Sequence, residues 1–186
     1  VSASSDNSII LWDILLGNII EIYQPITGAV WAVDVHPAEN RALISTGYPE
    51  NTIVEFDFTE HTLSNNFIGH EGTISTVRYN SDGTLALSTA SDHSVILWDV
   101  INRTWIRQFE GHTEFVWDAG FNADETQILS GASDRTMILW DIATGNVIRQ
   151  FAGAHTNGIH TVYITQDNRF AISGSGDGTV VIWDVE

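Results

Sequence analysis

Short apolar runs of four or five residues recur along the chain, each introduced by a polar turn and stopped by an aspartate. In SDRTMILWD, residues 133–141, Asp134 lies in the polar turn, Met137 to Trp140 run apolar without a break, and Asp141 ends the run. The figure returns as SDNSIILWD at 5–13, SDHSVILWD at 91–99 and GDGTVVIWD at 176–184, with a degenerate copy, PENTIVEFD, at 49–57. The closing residues Asp13, Asp57, Asp99, Asp141 and Asp184 stand 44, 42, 42 and 43 residues apart. Self-similarity at a fixed period of this size means stacked or radial supersecondary units rather than one irregular core.

The unit around His112 shows what each copy builds. Val116, Trp117, Ala119 and Phe121 predict a first short strand, and residues 122–125 a turn. Residues 127–131 predict a second strand, 137–141 a third and 147–151 a fourth, with turns about every ten residues. Four such strands make one antiparallel sheet. The third is almost wholly apolar, as expected of a strand buried on both faces. Units of this kind are expected at 25–68, 69–110 and 111–152. A partial unit is expected at 1–24, and one lacking its last strand at 153–186.

Three further spacings fix the resemblance. His70 to Trp98, His112 to Trp140 and His155 to Trp183 are each 28 residues. A Gly-His near the start of a unit, an Asp in the turn before the third strand and a closing Trp-Asp resemble WD40 repeats over essentially the whole chain. The resemblance implies an all-β fold, a β-propeller of four-stranded blades around a central channel. Four near-complete blades and part of another are expected here. The sequence opens mid-unit and stops after a third strand, so a longer propeller of about seven blades is expected, with the remaining blades supplied by more chain.

Composition narrows the partners. The 186 residues carry 24 acidic and 7 basic side chains, for a formal net charge of −17, and every basic residue is arginine. Nucleic acid binding requires cations against phosphate, and the arginines are scattered singly. Neither nucleic acid nor an anionic membrane is expected as a partner, and no apolar run reaches the roughly 20 residues that span a bilayer. Acidity of this size gives solubility, or steers a basic or mixed-charge partner. With no cysteine, disulfides, thiolate metal sites and cysteine nucleophiles are excluded. No targeting segment is visible in VSASSDNS; the compartment stays open, with the cytoplasm slightly ahead.

His112, Ser130 and Asp134 have the composition of a catalytic triad. However, His70, Ser88 and Asp92 repeat the set, as do His155, Ser173 and Asp177, and a set repeated three times at one spacing is a scaffold device. The resemblance implies that each set joins its tryptophan, Trp98, Trp140 or Trp183, in a hydrogen-bonded tetrad. A buried indole N–H wants an acceptor, and serine supplies one. The unit at 25–68 departs from this pattern, with Phe56 for Trp, Glu50 for the turn Asp and Thr27 or Gly28 where His is due. Its turn, STGYPEN, counts one residue longer. The unit at 1–24 keeps Ser2, Asp6 and Trp12.

Gly174-Ser-Gly-Asp-Gly178 precedes a strand rather than a helix, so it reads as a turn and not a phosphate loop. The histidines outside the tetrads, His36, His61, His93 and His160, share no metal-ligand spacing. No metal, cofactor or catalytic residue is expected, and no polar cluster that breaks the repeat is evident. Asn102-Arg-Thr104 fits a glycosylation sequon, relevant only in a secretory context.

The positions that disobey the repeat are the candidates for function. The residue after the first apolar position of each first strand reads Trp31, Ser75, Trp117 and His160; the one before that position reads Ala29, Thr73, Phe115 and Gly158. The residue before the turn Asp reads Ser5, Pro49, Ser91, Ser133 and Gly176. In WD40 propellers these places lie at the face where partners often dock. Trp31, Phe115, Trp117 and His160 are the expected protein-docking residues of a non-catalytic interaction scaffold. The alternative for Trp31 and Trp117 is filling space between blades. Two other readings are a regulatory propeller of a larger signalling protein, and a ligand-binding or catalytic propeller using its channel.

Overall fold

The computed structural model describes residues 1–24, 29–47 and 50–185, with eighteen strands and no helix among them. The first sheet has β1 (Ser2–Ala3), β2 (Ile9–Trp12) and β3 (Ile19–Tyr23). The second has β4 (Val30–Val35), β5 (Arg41–Thr46), β6 (Ile53–Asp57) and β7 (Thr62–Phe67). The third has β8 (Ile74–Tyr79), β9 (Leu85–Ala90), β10 (Ser94–Asp99) and β11 (Thr104–Glu110). The fourth has β12 (Val116–Phe121), β13 (Gln127–Ala132), β14 (Met137–Asp141) and β15 (Val147–Phe151). The fifth has β16 (Ile159–Ile164), β17 (Phe170–Ser175) and β18 (Val180–Asp184). Every pairing is antiparallel and between consecutive strands.

In the first four sheets the aspartate that stops the third strand also closes the turn after it. Asp57 Oδ1 accepts from the N–H groups of Thr59 (2.7 Å) and Glu60 (3.0 Å). Asp141 Oδ1 accepts from Thr144 N (2.7 Å) and Thr144 Oγ1 (2.6 Å). A carboxylate two or three residues ahead of free N–H groups ends a strand and starts a turn in one step.

The cores lie between sheets, not within them. Each of four buried clusters draws its residues from two successive sheets. A phenylalanine at the end of one sheet's fourth strand meets the third-strand ring of the next: Phe67 with Trp98, Phe109 with Trp140 and Phe151 with Trp183, at 5.7, 5.6 and 5.7 Å between ring centroids. A side chain at Gly69 or Gly111 would begin 2.8 Å from the indole of Trp98 or Trp140, so the glycine of Gly-His is a packing requirement.

The apolar third strands β6, β10 and β14 are buried on both faces, as their composition predicts. The same expectation fails for β18, where Val180 and Ile182 are 71% and 67% exposed. Only one side of that sheet is covered, by residues of the fourth. The second sheet also corrects the count of its turn. Ser45 pairs with Ile53 where Thr89 pairs with Val95, so its turn is two residues longer rather than one. Thr27, Gly28, Tyr48 and Pro49 lie outside the described residues.

Candidate functional site

Each tetrad is a chain of four groups in one order. Trp98 Nε1 donates to Ser88 Oγ at 2.7 Å, Ser88 Oγ lies 2.7 Å from His70 Nε2, and His70 Nδ1 lies 2.8 Å from Asp92 Oδ2. In the fourth sheet Trp140, Ser130, His112 and Asp134 give 2.8, 2.8 and 2.9 Å. In the fifth, Trp183, Ser173, His155 and Asp177 give 2.8, 2.7 and 3.1 Å. Indole can only donate, so the serine accepts from it; every partner is satisfied when serine donates to Nε2 and the Nδ1 proton goes to the carboxylate. That oxygen also accepts the next backbone N–H, from Glu71, Thr113 or Thr156, and the other oxygen holds the turn at Ser94, Thr136 or Thr179. Burial alone would raise Asp92 and Asp134, but the hydrogen bonds led by those from His70 and His112 hold both well below the carboxylate range. In Asp177 the hydroxyl of Thr179 contributes most to the same lowering. Ser88, Ser130 and Ser173 are fully buried, so no substrate reaches a hydroxyl that could act as nucleophile.

The second sheet lost the tetrad as a unit. Phe56 takes the place of Trp, and the register puts Ile44 where Ser88 and Ser130 stand. The first sheet keeps a remnant, Trp12 Nε1 to Ser2 Oγ at 2.8 Å.

The repeat-breaking positions Trp31, Ser75, Trp117 and His160 are the bulged residues of the four first strands. The register skips each of them, between Val30 and Ala32, Ile74 and Thr76, Val116 and Asp118, and Ile159 and Thr161. A bulge leaves one residue unpaired and re-aims its side chain, so these side chains are released from the repeat. Beside each bulge lies the residue that follows the second strand. Gly47, Ser91, Ser133 and Gly176 donate N–H to the carbonyls of Ala29, Thr73, Phe115 and Gly158 at 2.8–3.0 Å. Gly47, and not Pro49, therefore holds that position in the second sheet.

Three of the four candidate docking residues come together. The Trp117 ring lies 4.1 Å from Phe115 and 5.0 Å from His160, which belongs to the next sheet, and its Nε1 donates to Ser133 Oγ at 2.8 Å. Trp117 and Phe115 are half-buried and His160 is exposed. Trp31 stands apart, 54% exposed, its indole against Gly47, where a Cβ would begin 2.6 Å from Nε1. It does not fill the space between sheets.

The structure also holds a polar cluster that breaks the repeat. Glu55 sits where Leu97 and Leu139 are core residues, and it is as buried as they are. Arg41 Nη1 (3.4 Å), Arg103 Nη2 (3.2 Å) and Ser64 Oγ (3.1 Å) meet its carboxylate. Arg103 comes from the third sheet, so the cluster ties two sheets together. The signal was in the sequence, as the glutamate of IVEFD against the leucine of VILWD and MILWD. Among the described residues no three His, Cys, Asp or Glu side chains converge to hold a metal ion.

The sequence model of the family described as WD40, "WD domain, G-beta repeat", matches three successive stretches, 61–99, 103–141 and 145–184. The chain belongs to the WD40 repeat family. Its sheets are WD40 blades, and the family's general role is that of a propeller-type scaffold for protein interactions, generally without catalysis. No curated protein matches the chain.

Proposed function

We propose that this WD40 chain binds a protein partner through the bulge end of its first strands, with Phe115, Trp117 and His160 as the central contact and Trp31 as a separate anchor. One observation carries the reading: two bulge residues, Trp117 and His160, freed from the repeat, stack with Phe115 into a row of three rings across two neighbouring sheets. Aromatic anchors in such clusters dominate interface energies. With 24 acidic against 7 basic side chains, the partner is a basic or mixed-charge segment, steered in by the field of the whole chain.

The test is a displayed peptide library selected on the wild-type chain, with retained peptides measured against Trp117→Ala and Trp31→Ala. We expect arginine- or lysine-bearing peptides, an on-rate that falls as salt rises, and about a 30-fold weaker Kd for Trp117→Ala, the equivalent of a ~2 kcal/mol anchor. If folded Trp117→Ala keeps every peptide at unchanged affinity, this end of the strands is not the working surface.

A further inference from the structure

Three residues along from the ring stack, towards the other end of the same first strands, Gly120 has no structural reason to be glycine. Its φ is not positive, and a Cβ there would have one neighbour within 4 Å, Arg78 Nη1 at 3.9 Å, an ordinary contact. Other strand glycines are required by packing: a Cβ at Gly131 would begin 2.6 Å from Val162, and one at Gly174 2.9 Å from Thr161. Glycine inside a strand weakens it, and where neither the backbone nor the packing asks for it, it marks a place that a ligand or another backbone can approach closely.

The missing side chain opens a groove. Register places Gly120 level with Arg78 on one neighbouring first strand and Tyr163 on the other, both about half exposed. Together with Phe121 and Val162 they line a groove of about 290 Å³. Arg78 reaches over Gly120, and its Nη2 donates to the buried carboxylate of Asp118 at 2.9 Å, leaving Nη1 directed at the empty position. Asp118 also accepts from Thr161 Oγ1 (3.1 Å) and Val162 N (3.0 Å), so the guanidinium is anchored to a fixed point of three sheets.

We infer that this groove receives an aromatic side chain presented by a protein partner. Charge complementarity decides the occupant. A guanidinium edge on one wall attracts the electron-rich face of a ring, and Tyr163 and Phe121 offer ring surface for offset or edge contacts. A free anion has a weak claim, because Asp118 already neutralises Arg78, whereas a ring face needs only an N–H edge, and Nη1 still supplies one at the empty position. A cation would sit beside the guanidinium, and the carboxylate in the lining, Glu125, is already held by Asn80 Nδ2 and Ser81 N. The site is separate from the Phe115, Trp117 and His160 stack and stands or falls without it.

The probe is N-acetyl-L-phenylalaninamide, titrated into the ¹⁵N-labelled 186-residue chain and followed by amide chemical shifts, with N-acetyl-L-leucinamide as the apolar control. We expect saturable shifts at Gly120, Phe121 and Val162 with the phenylalanine probe, and at least tenfold weaker binding of the leucine probe. Gly120→Ala should fold with an unchanged or higher Tm; Gly120→Leu should fill the groove and abolish the shifts, and Tyr163→Ala should weaken them severalfold. Shifts that do not saturate, that are equal for both probes, or that persist in Gly120→Leu overturn the proposal. A Gly120→Ala chain that melts well below wild type also overturns it, since glycine would then be a structural need.

Discussion

At the scale of single residues, the aspartate of the tetrad has the widest reach. Asp134 holds the His112 imidazole, the Thr113 N–H and the Thr136 turn at once. Removing it leaves buried donors without an acceptor, so Asp134→Ala should lower unfolding stability by roughly 1–3 kcal/mol, measured from urea midpoints at pH 7. The pH dependence follows from the direction of the shifts. Asp92, Asp134 and Asp177 are held below the ordinary carboxylate value. They contribute stability above about pH 4 and lose it as pH falls towards their own lower values. Asp34 and Asp118 behave oppositely, because burial raises both against the hydrogen bonds and the Arg78 charge that favour their ionised form. They take up protons above the ordinary value, and the fold gains stability as they do. The loss should therefore begin only below about pH 4, and the stability gap between wild type and Asp134→Asn should narrow there. A gap that stays constant from pH 7 to pH 2.5 would show that the Asp134 carboxylate is not held by its partners.

Elements show how far the sequence can be read. Four strands per unit, their order and the third-strand Trp-Asp were legible, because period and turn chemistry are local. Three copies at one spacing marked His, Ser and Asp as a scaffold device, while their partnership with the tryptophan came from the family resemblance. What escaped was register. The two extra residues in the second sheet, the placement of Ile44 opposite Val54, and Gly47 in place of Pro49 depend on which carbonyl each N–H finds, and a degenerate copy does not announce that. The bulges escaped for the same reason, and so did the meeting of Trp117 with His160, which needs two sheets in place. The second sheet offers a direct check on the tetrad account. Phe56→Trp puts an indole N–H against Ile44 in a buried site, an unsatisfied donor costing roughly 1–3 kcal/mol. Ile44→Ser alone buries a hydroxyl and opens space. Combined, the serine can accept from the indole, so the double variant should be more stable than the sum of the two single losses by roughly 0.5–3 kcal/mol. Strict additivity in urea unfolding would mean that the Trp–Ser bond contributes nothing to a blade.

At the scale of the whole molecule, two opposing terms act on the same surface. Apolar side chains of β18 and β3 face outward, with Val180, Ile182, Ile20 and Ile22 all more than half exposed. Exposed apolar faces and open strand edges favour association. Against this stands a net charge of −17, which repels a second copy over a Debye length of about 10 Å at 0.1 M salt and about 3 Å at 1 M. The balance predicts an unusual sign. Salt, which weakens ordinary ion-pair contacts, should drive this chain from monomer towards larger species, and sedimentation velocity between 0.1 and 1 M sodium chloride would show it. Ile182→Asp places a charge in the middle of the outward face of β18 without touching a tetrad, so it should keep the chain monomeric across the range. A wild-type chain that stays monomeric at 1 M salt would show that these faces do not associate. Association of Ile182→Asp as strong as wild type would place the contact elsewhere, and the outward face of β3 is the next surface to mutate.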